Sequence, residues 1–197
     1  MAIDPVAAVG QRLVDQPVRC TPETSMLYAL GTGFGRNPLD MAELRFVYGP
    51  DLAIVPTLAA QLAFGGHALL ERIGVDMRHV VHAGQGVELH RPLPVTGDLL
   101  FDTGIAGIID KGLGKGALVL LETSLRARGG GGVLATATST AFARGDGGCG
   151  GPVGRQQTAP IFPDLPDRRP DHLDFFETRP DQALLFRLSG DFNPLHA

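Results

Sequence analysis

The chain has 197 residues, 44% hydrophobic and 19% charged, enough for one domain with a sizeable core or for one domain and part of another. A net charge of −4, a pI near 5.8 and the absence of any basic patch argue against nucleic acid or an acidic membrane surface as a partner. Cys20 and Cys149 form neither a metal spacing nor a disulfide framework, no apolar run reaches the ~18 residues of a membrane span, and MAIDPVAAVGQRL lacks the pattern of a secretory signal.

The first clear element is TPETSMLYAL. Thr21 suits a cap, Pro22 the first helical position and Glu23 the positive end of the dipole, while the glycines of GTGFG end the helix. DLAIVPTLAAQLAFGGHALLERIG (51–74) is expected to be a longer helical region, apolar on most sides through Leu58, Ala59, Leu62 and Ala63, with Gly65 and Gly66 weakening its middle.

From residue 79 the apolar period changes to two. HVVHAGQGVELHRPLP, LLFDTGIAGIIDKG, ALVLLETSLRAR and VLATATSTAFAR are expected as four strands. DKGLGKG and RGGGGV are short, glycine-rich joins, so the strands should form an antiparallel meander. An antiparallel sheet wrapped around one central apolar helix is the hot-dog arrangement, an α+β fold. Residues 144–172 carry too many Gly and Pro for either element and are expected to be a linker or an irregular crossing strap.

Beyond it the sequence repeats itself. Residues 22–31 align without a gap with 180–189: Pro22 meets Pro180, Leu27 meets Leu185, Tyr28 meets Phe186 and Leu30 meets Leu188. With two extra residues in the first copy, Asn37-Pro38-Leu39 then meets Asn193-Pro194-Leu195, but Asp40 stands where His196 would fall, and no aspartate matches Asp191. Such a repeat points to a second unit that has only begun. The expected organisation is 1–144 as one hot-dog unit, 145–171 as linker and 172–197 as the start of a second.

The last residues, FRLSGDFNPLHA, place Asp191, Asn193 and His196 around one turn. A carboxylate beside an imidazole is an acid/base pair in the making, since it orients the ring and raises its basicity. On residue types alone, turn closure and a helix start are the plainer reading of the same residues.

Phe186 to His196 resembles the Y-R-L-S-G-D-x-N-P-L-H pattern of enoyl-CoA hydratase 2, the MaoC-like hydratases. MLYALG, LRFVYG, ELHRPLP, DKGLGKGALV and RPDQALLFRLSGD extend the resemblance over nearly the whole chain, to two-hot-dog members such as the hydratase part of the peroxisomal multifunctional enzyme. The resemblance implies (R)-specific hydration of trans-2-enoyl-CoA to (3R)-hydroxyacyl-CoA, without a metal or redox cofactor. It implies that Asp191 and His196 hold and activate the water, that Asn193 shapes the turn, and that His82 and Gln85 border the ligand cleft. The first unit would give room to a bulky acyl chain, and its small residues Ala59, Ala60, Ala63, Gly65 and Gly66 suit such a tunnel or, equally, close packing of helix on sheet.

The pattern departs from these relatives at Gly49, where they often carry a glutamate, and at His82-Ala83-Gly84-Gln85, where they commonly read His-Gly-Glu-Gln. The resemblance also implies that the catalytic unit continues past residue 197 and that the 197 residues alone are poorly active, with Leu184, Leu185 and Leu188 left seeking a partner. The partner would be a second copy or another hot-dog chain, and the location cytoplasmic in a bacterium or peroxisomal in a eukaryote. A different reading is a non-catalytic acyl-CoA-binding subunit that pairs with a separate catalytic chain; a hot-dog thioesterase fits the last motif less well. GTGFG and DKGLGKG lack the context of phosphate loops. His79 and His82, an odd number of residues apart, should face opposite sides of a strand, so no metal site is expected from them.

Overall fold

In the computed structural model, which describes residues 3–156 and 165–190, the frame is a six-stranded antiparallel sheet. Its strands are β1 (Arg12–Cys20), β2 (Val80–Leu89), β3 (Gly97–Asp110), β4 (Ala117–Ala127), β5 (Val133–Ala143) and the short β6 (Val153–Gly154). The order is β1-β3-β4-β5-β2, and β6 pairs with β3 at Gly107 and Ile108, just past the stretch covered by β1. The two glycine-rich joins are hairpins, β3 to β4 and β4 to β5. The meander is corrected at its first step. β2 pairs with β5 and not with β3, so the prolines of HRPLP carry the chain from one side of the sheet to the other.

β1 is an edge strand that hydrophobic alternation hides. Its register shifts between Leu13 and Gln16, and Asp15 adopts φ of 56°, a bulge that breaks the period of two. Pro17 is tolerated because an edge strand leaves half its N–H groups unpaired. Asp15 is fixed by Arg126, which also lies 3.6 Å from Asp102.

Among the described residues six short helices accompany the sheet: α1 (Pro5–Ala8), α2 (Pro22–Gly31), α3 (Met41–Leu44), α4 (Leu58–Leu62), α5 (His67–Arg72) and α6 (Gln182–Leu188). α2 starts as its residues dictate, with Thr21 Oγ1 accepting from the Thr24 N–H at 3.2 Å and Pro22 in its first turn. The single long helical region expected over 51–74 is instead two helices, broken around Gly65 and Gly66. A Cβ on Gly66 would sit 2.6 Å from Leu121 Cδ1, and one on Gly65 would overlap the Phe101 ring. The chain approaches the sheet so closely there that any side chain would have to displace Leu121 or Phe101.

The break divides the core. Leu69, Leu70 and Ile73 of α5 pack with Ile105, Ile108 and Val119 in one cluster. Leu58, Ala59 and Leu62 of α4 pack with Cys20, Leu99 and Leu125 in the other. The described fold is thus hot-dog-like α+β, with an open sheet edged by β1 and β2 and a two-part helical layer upon it.

Residues 144–155 are held against the sheet. The Asp110 carboxylate accepts from the backbone N–H groups of Gly112, Gly148 and Gly150 at 2.8, 2.8 and 2.9 Å, tying the segment to the β3–β4 turn. These three donors hold the Asp110 carboxyl below its usual range. Farther on, Arg36 lies over the Phe176 ring at 4.1 Å, and α6 packs on α2, where Gln182 Nε2 donates to the Gly31 carbonyl at 3.2 Å. Leu184 and Leu188 are exposed, while Leu185 is half-buried, its Cβ near Gly31.

Candidate functional site

The break between α4 and α5 opens a cavity of about 580 Å³ between the helical layer and the sheet, within the range of small-molecule sites. Ala60, Ala63, Gly65 and Gly66 border it on the helical side, and Leu121, Ala137 and Ala141 on the sheet side. Gly65 and Gly66 permit close contact with Phe101 and Leu121, and with Ala60 and Ala63 they border the cavity beside it.

Two hydroxyls in this wall answer each other. Thr123 Oγ1 donates to Thr103 Oγ1 at 2.7 Å, across directly paired positions of β4 and β3, with both residues buried. That part of the lining behaves as nearly apolar.

His82 and Gln85 both line the cavity, although three residues apart on a regular strand they would face opposite ways. The register of β2 on β5 shifts between His82 and Gly84, so His82 pairs with Ala141 and Gln85 with Ser139, two residues that also line the cavity. Ala83 is the inserted residue, and this bulge turns both side chains to one side. Both residues are exposed, which puts them at the mouth. His79 lies outside the strand altogether, in a 3-10 turn (Met77–His79), with Nδ1 2.9 Å from Asp76 Oδ2. Arg78 and His79 together hold the Asp76 carboxyl well below its usual range. Among the described residues no group of His, Cys, Asp and Glu is arranged to hold a metal ion.

The repeat is visible here in space. Tyr28 and Phe186, its matched aromatics, both border the cavity, and Tyr28 Oη donates to Thr57 Oγ1 at 3.0 Å. Gln61, at the end of α4, also lines the cavity and donates from Nε2 to the Ser189 carbonyl at 2.9 Å. Nothing in the sequence singled out Gln61, since a glutamine on an apolar helix carries no motif. Asp191, Asn193 and His196 lie outside the described residues. No carboxylate lines the cavity among the described residues, so what they supply is a largely apolar space of small-molecule size with imidazole and amide groups around it. Gly49, where the resemblance would place a glutamate, lies in an exposed bend.

Residues 19–145 match the family described as MFE-2 hydratase 2 N-terminal domain. The chain is 40% identical to 3-hydroxyacyl-thioester dehydratase Y of Mycobacterium tuberculosis, over all of this chain and 66% of that protein. It is 36% identical to the peroxisomal enoyl-CoA hydratase 2 of Arabidopsis thaliana, over 87% of this chain and 59% of that protein. Among solved structures, a MaoC-like dehydratase from Phytophthora capsici superposes with a TM-score of 0.74 at 27% identity, covering 98% of this chain and 65% of that one. The full-length peroxisomal multifunctional enzyme type 2 of Drosophila melanogaster gives 0.71 at 30% identity, covering 93% and 31%. The chain thus spans about two thirds of the length of the first of these relatives.

Proposed function

The chain belongs to the MaoC-like, enoyl-CoA hydratase 2 family of lyases, and from that premise we propose that it serves (R)-specific hydration of trans-2-enoyl-CoA in fatty-acyl or sterol side-chain β-oxidation. The single observation that carries the reading is the cavity of about 580 Å³ at the α4–α5 break, apolar inside and bordered by His82 and Gln85 at its mouth. An acyl chain would lie in the cavity and the thioester at its mouth.

In this reading residues 1–144 are the acyl-accommodating hot-dog unit, whose sheet wraps the α4–α5 layer in the assembled protein. Residues 145–171 link it to the catalytic unit that begins at 172, and a second copy or another hot-dog chain completes the assembly. Asp191 and His196 hold a water and take its proton as its oxygen bonds to Cβ, a proton is delivered to Cα, and Asn193 orients the turn. Hydrogen-bond donors facing the thioester oxygen stabilise the enolate charge that develops there. Relatives named peroxisomal and relatives from bacteria support a peroxisomal site of action in a eukaryote and a cytoplasmic one in a bacterium.

The test uses the full-length protein with trans-2-enoyl-CoA, following loss of the conjugated thioester absorbance. Asp191→Ala and His196→Ala should each lower kcat by about 10²–10⁴-fold, the range of a lost acid/base group. Unchanged rates in both variants refute the assignment of these residues.

A further inference from the structure

We propose that Gln61 is a positioning residue for this hydration, one that fixes the direction in which the chain leaves α6 toward Asp191; the inference rests on the function proposed above. Ser189 caps the C-terminus of α6, where the last carbonyls have no partner within the helix. Its carbonyl and the Gly190 N–H belong to one planar peptide unit. That plane is held on both sides. The Gly190 N–H donates to the Arg187 carbonyl at 3.0 Å, and the Ser189 carbonyl accepts from Gln61 Nε2 at 2.9 Å. The first bond is local to the helix end. The second reaches across 128 positions of sequence to α4 and the wall of the acyl cavity.

Gly190 then turns with φ of 119°, a conformation that favours glycine, and a Cβ added there would stand 3.4 Å from the same Gln61 Nε2. Asp191 is the next residue in sequence, so the Ser189–Gly190 plane that Gln61 holds immediately precedes the candidate acid/base residues. Gln182, which bonds the Gly31 carbonyl, anchors the other end of α6 and does not border the cavity. Of these two anchoring glutamines, only Gln61 joins the acyl wall to the residues that precede the chemistry.

The experiment compares Gln61→Ala and Gln61→Glu in the full-length protein, by steady-state kinetics across pH and by amide hydrogen exchange. Gln61→Ala should lower kcat by about 10–100-fold, as sub-ångström to ångström misplacement of reacting groups does, with KM within about twofold. Exchange over 182–190 should rise. Gln61→Glu should be as slow near neutral pH, where a carboxylate cannot donate, and should gain on Gln61→Ala toward acid pH, where the protonated acid donates again. A glutamine that only capped α6 would lower Tm and leave kcat and the pH dependence of this ratio unmoved; that result overturns the inference while leaving the hydratase reading intact. Unchanged exchange over 182–190 overturns it at the level of the contact. A parent protein that hydrates no enoyl-CoA overturns the proposed function and this role with it.

Discussion

The paired hydroxyls of Thr103 and Thr123 give the sharpest quantitative prediction. Valine has nearly the shape of threonine, so Thr123→Val leaves the wall filled but strips the Thr103 hydroxyl of its 2.7 Å partner in a site where Thr103 is 0% exposed and Thr123 5%. An unsatisfied buried hydroxyl costs about 1–3 kcal/mol, whereas removing both partners together is nearly neutral. Each single variant should therefore lose about 1–3 kcal/mol, and Thr103→Val/Thr123→Val should lose much less than the sum. With the double near neutral, the coupling approaches the sum of the two single losses, at or above the upper part of the roughly 0.5–3 kcal/mol range found for residues in direct contact. Urea denaturation of parent, singles and double measures this through the midpoint at constant slope. In a chain of this size the singles should also melt lower by about 2–4 °C per kcal/mol. Strict additivity would refute the reasoning, because it would mean that the hydroxyls do not satisfy each other.

Two further outcomes follow from the cavity and from the segment after β5. Ala141→Phe puts a ring into the wall, so the ratio of kcat/KM for long over short enoyl-CoA substrates should fall at least about tenfold, the effect of about 1.4 kcal/mol; an unchanged ratio removes the cavity from the acyl path. Asp110→Asn should destabilise the protein near neutral pH by weakening the bonds from Gly112, Gly148 and Gly150. The folded pKa of Asp110 is depressed, so its contribution is fully present above the unfolded value of about 3.9 and is lost as pH falls through the folded one. The gap in Tm between parent and variant should accordingly close below about pH 4, and a gap that persists unchanged into acid contradicts the role given to the carboxylate.

The local features were legible where one residue type dictates one conformation. Thr21-Pro22 marks the start of α2, the glycine joins mark the β3–β4 and β4–β5 hairpins, and period-two alternation finds β3, β4 and β5. Pairing was less legible, since alternation tells which face a residue takes but not which strand lies beside it: a simple meander sets β2 beside β3, whereas it borders β5. Bulges concealed the rest. The one at Asp15 hides β1, and the one at Ala83 puts His82 and Gln85 on one side of the strand against simple parity. The family resemblance, not periodicity, brought those two residues into consideration at the cleft. Gly65 and Gly66 warned of a weak helix, but their actual reason, contact with Phe101 and Leu121, is tertiary. Gln61 had no signal at all, because its partner lies 128 positions away.

The most direct test of the central claim is the product formed by the full-length protein from a trans-2-enoyl-CoA of medium acyl length, separated by configuration. The account predicts disappearance of the enoyl thioester with (3R)-hydroxyacyl-CoA as product and the thioester intact. Recovery of the (3S) epimer, release of free CoA by hydrolysis, or no reaction would contradict it.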